Sequence, residues 1–140
     1  MFDTLDFAQD ILNQQTSVAQ LGNTAELAGL NRQHLAAIVS YQLLTDNWDE
    51  DGAIAPVHQT VLVAFDLAML LTVAGQPIYH TSPGPVGEIM INLRHADKSV
   101  EFLIYPNDKG KIVRIGGSTA PWQGLLIPET LRETLQWLNQ

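Results

Sequence analysis

The chain has 140 residues, 46% of them hydrophobic and 16% charged, with no cysteine and a formal net charge of −8. That length supports one core rather than two, and the apolar content excludes a disordered chain. Without cysteine there is no disulfide scaffold, no thiolate metal site and no thiol nucleophile.

The acidity is uneven. Residues 1–70 hold nine acids against one base, Arg32, whereas residues 71–140 hold six of each. A negative field repels phosphate backbones, so nucleic acid lacks its usual handle; the same field speeds encounter with a basic protein. The opening Met1-Phe2-Asp3 has no basic signal-peptide region. The longest apolar stretch, residues 61–74, is too short to span a bilayer. The expectation is a cytoplasmic protein with neither nucleic-acid nor membrane partners.

Phe2, Leu5, Phe7, Ile11 and Leu12 fall at approximately helical spacing behind Asp3, which predicts a capped first helix. A softer stretch over 14–23 breaks at Leu21-Gly22-Asn23. Asn31 reads as the cap of an amphipathic helix carrying Leu35, Ile38, Val39, Gln42 and Leu43 on one side. A turn-rich loop over 46–56 follows, with Pro56 suited to the start of the next helix. That helix reaches about Ala74, stopped by Gly75 with Pro77 just beyond. It is apolar nearly all round, which places it centrally.

Past Pro77 the period becomes two. Ile89, Ile91 and Leu93 form one alternating run, Val100, Phe102 and Ile104 a second, and residues 111–115 a third. Turn residues between them predict an antiparallel meander of three strands, with 78–81 as a fourth. Gly116-Gly117 reads as the end of the sheet, and Pro121, Trp122 and Gly124 as a loop into a helix beginning near Pro128. The chain is therefore expected to be one α+β domain: N-terminal helices packed on a three- to four-stranded antiparallel meander, with a C-terminal helix bearing Leu131, Leu135 and Leu138. The second sheet face would mix Met90, Leu103, Tyr105 and Ile112 with Asn92, Arg94, Glu101 and Arg114. This is too apolar for a solvated face, so either the last helix covers it or it meets a partner or another copy.

Asn47, Asp49, Asp51, Gly52 and Ile54 match positions 1, 3, 5, 6 and 8 of a calcium-binding EF-hand loop. His58 stands where that loop needs a bidentate Glu, so the metal pattern is weak and a structural turn is the preferred reading. The segment Asn47-Trp48-Asp49-Glu50-Asp51-Gly52-Ala53, with Pro56 nearby, resembles the N-W-D-G-x-G-A motif of a group of small, uncharacterised bacterial proteins. The strand half joins the likeness through Gly87-Glu88-Ile89 and Asn107-Asp108-Lys109-Gly110, so it covers roughly residues 40–116. The resemblance implies a helix followed by strands. It departs at Glu50, where the family has glycine, and at Asp51, often aromatic there, which speaks against calcium; it brings no activity.

Two readings of the loop stand side by side. Trp48 packs over the helix–sheet junction while Asp49 caps turn N–H groups, or Trp48, Asp49, Glu50 and Asp51 form a recognition loop. His34, His58, His80 and His95 have no zinc spacing. Gly116-Gly117-Ser118-Thr119 lacks the lysine of a phosphate loop, and no serine elbow is present. No catalytic residue, metal or cofactor is assigned. The leading expectation is a non-catalytic protein-binding module, antitoxin- or immunity-like, whose acidic helical half or mixed sheet face meets another protein, a basic one being the partner that the charge suits; its candidate binding residues are Trp48, Asp49, Glu50, Asp51, Arg94, Leu103 and Tyr105. The alternatives are a ligand-binding protein or enzyme with a pocket between helices and sheet, lined by Trp48, Tyr79, His80 or Tyr105, and a homo-oligomer.

Overall fold

The computed structural model describes residues 29–108 and 110–140. The helix expected from Phe2 onward and the stretch over 14–23 lie outside them. The first described helix, α1 (Arg32–Ser40), tightens into a 3-10 turn over Tyr41–Leu43. Asn31 precedes α1 in the left-handed region (φ 63°) and makes no side-chain cap. The capping role expected of it is corrected: its amide donates instead to Thr72 Oγ1 at 3.0 Å and to the Gln76 carbonyl at 2.9 Å. Its Oδ1 accepts the Ile78 N–H at 2.7 Å. One buried side chain thus ties the entry of α1 to the exit of the next helix.

That helix, α2 (His58–Val73), ends on Gly75 at φ 76°. Gln76 N–H donates to Leu71 O at 2.8 Å and Gly75 N–H to Thr72 O at 3.0 Å, the paired bonds of a left-handed glycine stop. The side of α2 bearing Val61, Ala64, Leu67, Ala68 and Leu71 is buried.

Five strands follow: β1 (His80–Pro83), β2 (Ile89–His95), β3 (Lys98–Ile104), β4 (Gly110–Gly116) and β5 (Thr119–Leu125). They pair in chain order, each antiparallel to the next. The α+β class with an antiparallel sheet and a C-terminal helix is as expected, and β5 extends the meander to five strands. Gly116-Gly117 turns the chain into β5 instead of ending the sheet. Pro121 is tolerated because β5 is an edge strand. Gly124 is required by packing: a Cβ there would stand 2.6 Å from the Trp122 ring.

Register assigns the faces. Ile91 pairs with Phe102, and Phe102 with Ile112, so the three side chains share the inner face. Arg114, paired with Val100 and Trp122, lies on it too. Placing Ile112 and Arg114 on the outer face is therefore corrected, because β4 starts with Gly110 opposite Ile104. The last helix, α3 (Pro128–Leu138), buries Leu131, Leu135 and Leu138 in the same core as Ile38, Leu67 and Phe102. All three described helices accordingly pack on one side of the sheet, and α3 does not cover the other.

At the α3 edge of the inner face Arg114 lies 3.9 Å above the Trp122 ring, with Trp137 at 5.9 Å. Its Nε donates to Thr134 Oγ1 at 2.8 Å. Lys98 closes the edge by donating to the Trp137 carbonyl at 2.7 Å. Burial pulls the Arg114 pKa below its ordinary value, opposed by the charge of Glu133. Stacking on an indole compensates lost hydration for a guanidinium better than for an ammonium.

Candidate binding surface

The loop over 46–56 is held by its own polar side chains. Asn47 and Glu50 adopt left-handed φ values of 66° and 64°, as does Gly52 at 85°. Asp49 Oδ1 accepts the N–H groups of Asp51 at 2.9 Å and Ala53 at 3.0 Å. Asn47 Oδ1 accepts Gly52 N–H at 2.8 Å, and Asp46 Oδ1 accepts Ala55 N–H at 3.0 Å. The bonds from Ala53 and Asp51 hold the Asp49 carboxyl below its ordinary pKa. Oxygens that a calcium ion would need are thereby engaged with backbone. Among the described residues no group of three His, Cys, Asp or Glu is placed to hold a metal ion. The half-buried Trp48 donates its indole N–H to Ile54 O at 3.4 Å, spanning the loop. Glu50 and Asp51 are left exposed.

The loop docks on the sheet through Ile54, which bridges in parallel to Val86 and donates its N–H to Pro85 O at 2.9 Å. Gly87 sits where a Cβ would meet Pro106 Cγ at 3.3 Å and Ile54 Cγ2 at 3.7 Å. The acidic loop, the β1–β2 turn and the turn after β3 therefore meet at one end of the sheet. Ile54 and Val86 are 52% and 51% exposed there.

On the outer face, register aligns Ser82, Met90, Leu103, Lys111 and Leu125 in one row across all five strands. The row ends at Leu125, 69% exposed. Beside it opens a cleft of about 940 Å³ lined by Tyr105, Pro106, Lys111, Leu125 and Ile127 among others. Of the side chains expected to recognise a partner, Leu103 and Tyr105 lie toward the end of the sheet where the acidic loop docks. Arg94 lies at the far end of β2, its guanidinium 4.0 Å over the Tyr79 ring and its Nε donating to Asn92 Oδ1 at 3.2 Å. Trp48, Tyr79 and His80 do not line the cleft with Tyr105. Leu125 and Ile127 were not among the candidate site residues because the chain through β5 read as a loop, and Lys111 was read only as part of the third strand. The signal was the stretch from Gly116 through Ile127, 12 residues and long for a structureless connection.

His34, on α1, has its pKa lowered chiefly by burial and further by the charge of His80, against a backbone hydrogen bond to Ile78. No helix among the described residues is long and apolar enough to cross a membrane. Comparison with protein-family models, curated proteins and solved structures finds no match.

Proposed function

We propose that the protein is a non-catalytic protein-binding module of the cytoplasm, antitoxin- or immunity-like, whose docking surface is the outer sheet face with the acidic loop at its end. The observation that carries this reading is the row Met90–Leu103–Lys111–Leu125, which runs into an apolar cleft on the face that no described helix packs against. An apolar strip rimmed by charge is the usual anatomy of a protein contact. The exposed Glu50 and Asp51 supply charge for a basic partner, and charge of this kind acts mainly on the association rate. The N-W-D-like motif belongs to the same proposal: its first Asn and Asp build the loop and leave the variable residues facing outward.

The test is capture of a partner from the source organism, followed by binding kinetics over a range of salt. The reading expects a basic partner whose association slows as salt rises while dissociation changes little. An association rate indifferent to salt would count against it.

The cleft supports a second reading, a small apolar ligand seated beside Tyr105, since about 940 Å³ lies within the range of ligand sites. A ligand of that kind would shift the resonances of Tyr105, Leu125 and Ile127 together and leave those of α1 unmoved.

A further inference from the structure

The strand β5 ends the sheet on one side, and among the described residues no strand pairs with its outer edge. An open edge is a row of main-chain donors and acceptors ready for another strand. Register and one bond fix which groups make up that row. Leu126 N–H donates to Gly110 O at 3.1 Å, and hydrogen-bonded pairs alternate along an antiparallel ladder. Gly124 opposite Ile112 and Trp122 opposite Arg114 therefore bond to β4 as well. The intervening Pro121, Gln123 and Leu125 turn their main-chain groups outward, and all three residues are exposed.

The outward groups are unequal. Gln123 offers both its N–H and its carbonyl. Leu125 offers only its N–H, because its carbonyl already accepts from Ile127 N–H at 3.1 Å and from Thr130 Oγ1. Pro121 offers only its carbonyl, since proline has no N–H. This set is its own complement about a two-fold axis at Gln123. Two antiparallel copies of β5 centred there exchange N–H and carbonyl between the two Gln123 residues. Each Leu125 N–H then meets the Pro121 carbonyl of the other copy. The donor that proline lacks falls opposite the carbonyl that needs none. Sliding the copies by two residues breaks the match: in one direction Pro121 faces the Gln123 carbonyl and leaves it unpaired, and in the other the Gln123 N–H faces the Leu125 carbonyl already taken.

Charge permits the same contact. The chain carries a net charge of −8, yet Thr119–Leu125 contains no charged residue, and charged side chains are a usual means of keeping strand edges apart. Leu125 would lie against Pro121 of the other copy, an apolar pair on either side of two facing Gln123 amides. So short a strand pair buries less than the roughly 800 Å² per partner of a standard interface, so the dimer is a weak one that forms as concentration rises.

We propose that two copies of the chain join β5 to β5, antiparallel about Gln123, so that their sheets become continuous. Pairing uses the strand edge and leaves Met90 and Leu103 on the outer face open, so the copy and the protein partner proposed above use different surfaces. The absence of cysteine allows a test of register. Gln123→Cys sets two thiols face to face at a Cα separation of about 5.5 Å, within the range of a disulfide. Ala120→Cys, also exposed, would stand about 20 Å from its copy. Under mild oxidation Gln123→Cys should cross-link about ten-fold faster than Ala120→Cys, because only its thiols share a high effective concentration. In sedimentation equilibrium the parent should shift toward dimer as its concentration rises to about 0.5 mM. Gln123→Pro removes the central donor from the edge and none from the β4–β5 ladder, and Gln123→Glu sets two like charges opposite each other; both should stay monomeric with an unchanged melting profile. Equal cross-linking of the two thiols, a parent monomeric over the whole range, or a dimer that survives both Gln123 substitutions would each overturn the proposal.

Discussion

At the scale of single residues, polar side chains act as connectors. Asn31 makes three hydrogen bonds from a buried position, and a buried partner left unsatisfied costs its full desolvation. Asn31→Ala should destabilise the fold by about 3 kcal/mol in denaturant titrations. Asn31→Asp, which keeps the acceptor for Ile78 but loses both donors, should be destabilising as well. Titration adds a pH dependence. The folded pKa of His34 lies below its ordinary 6.5, so the unfolded chain binds more protons and stability rises with pH. The contribution is complete above 6.5 and is lost as pH falls below it. Asp49, held below its ordinary 3.8, contributes above that value and loses its contribution as pH falls through the folded pKa. The urea midpoint should therefore drop from about pH 7.5 to about pH 5.5, and drop less in His34→Gln. Equal drops in the two proteins would remove His34 from the account.

At the scale of elements, strands with strict alternation were legible in the sequence and the edge strand was not. Ile89, Ile91, Val100 and Phe102 announce β2 and β3 because each inward position is aliphatic or aromatic. In β5 the inward pair is Trp122 and Gly124, one ring filling the space of two side chains. That pattern has no period to read. The face of β4 was misassigned for a related reason: side-chain parity depends on where pairing starts, and the glycine turn before it hides the starting residue. Gly124→Val should displace the Trp122 ring and cost about 1–3 kcal/mol. It should also change tryptophan fluorescence and speed exchange of the Leu126 N–H, which bonds to Gly110 O at 3.1 Å. Unchanged exchange at Leu126 would mean that β5 is held without this contact.

At the scale of the whole molecule, the sequence shows the acidity and the loop chemistry but not their placement. Nothing local tells that Ile54 bridges to Val86, or that Pro106 abuts Gly87. These long-range contacts gather the acidic loop, the apolar row and the cleft at one end of the sheet. One-sided packing follows from register: with Ile112 turned inward, α3 finds its apolar surface on the side already occupied by α1 and α2, and the outer face is left to other contacts. A pair of exposed leucines tests that account. Leu125 ends the outer row at 69% exposure, and Leu43, after α1, is 79% exposed. Both can become Asp without emptying the core. The decisive measurement is affinity for the captured basic partner in Leu125→Asp and Leu43→Asp, each checked for an unchanged melting profile. The account predicts that Leu125→Asp weakens binding by about 2 kcal/mol or more, as loss of an apolar anchor does, while Leu43→Asp binds like the parent. Full binding by Leu125→Asp would contradict the outer sheet face as the docking surface.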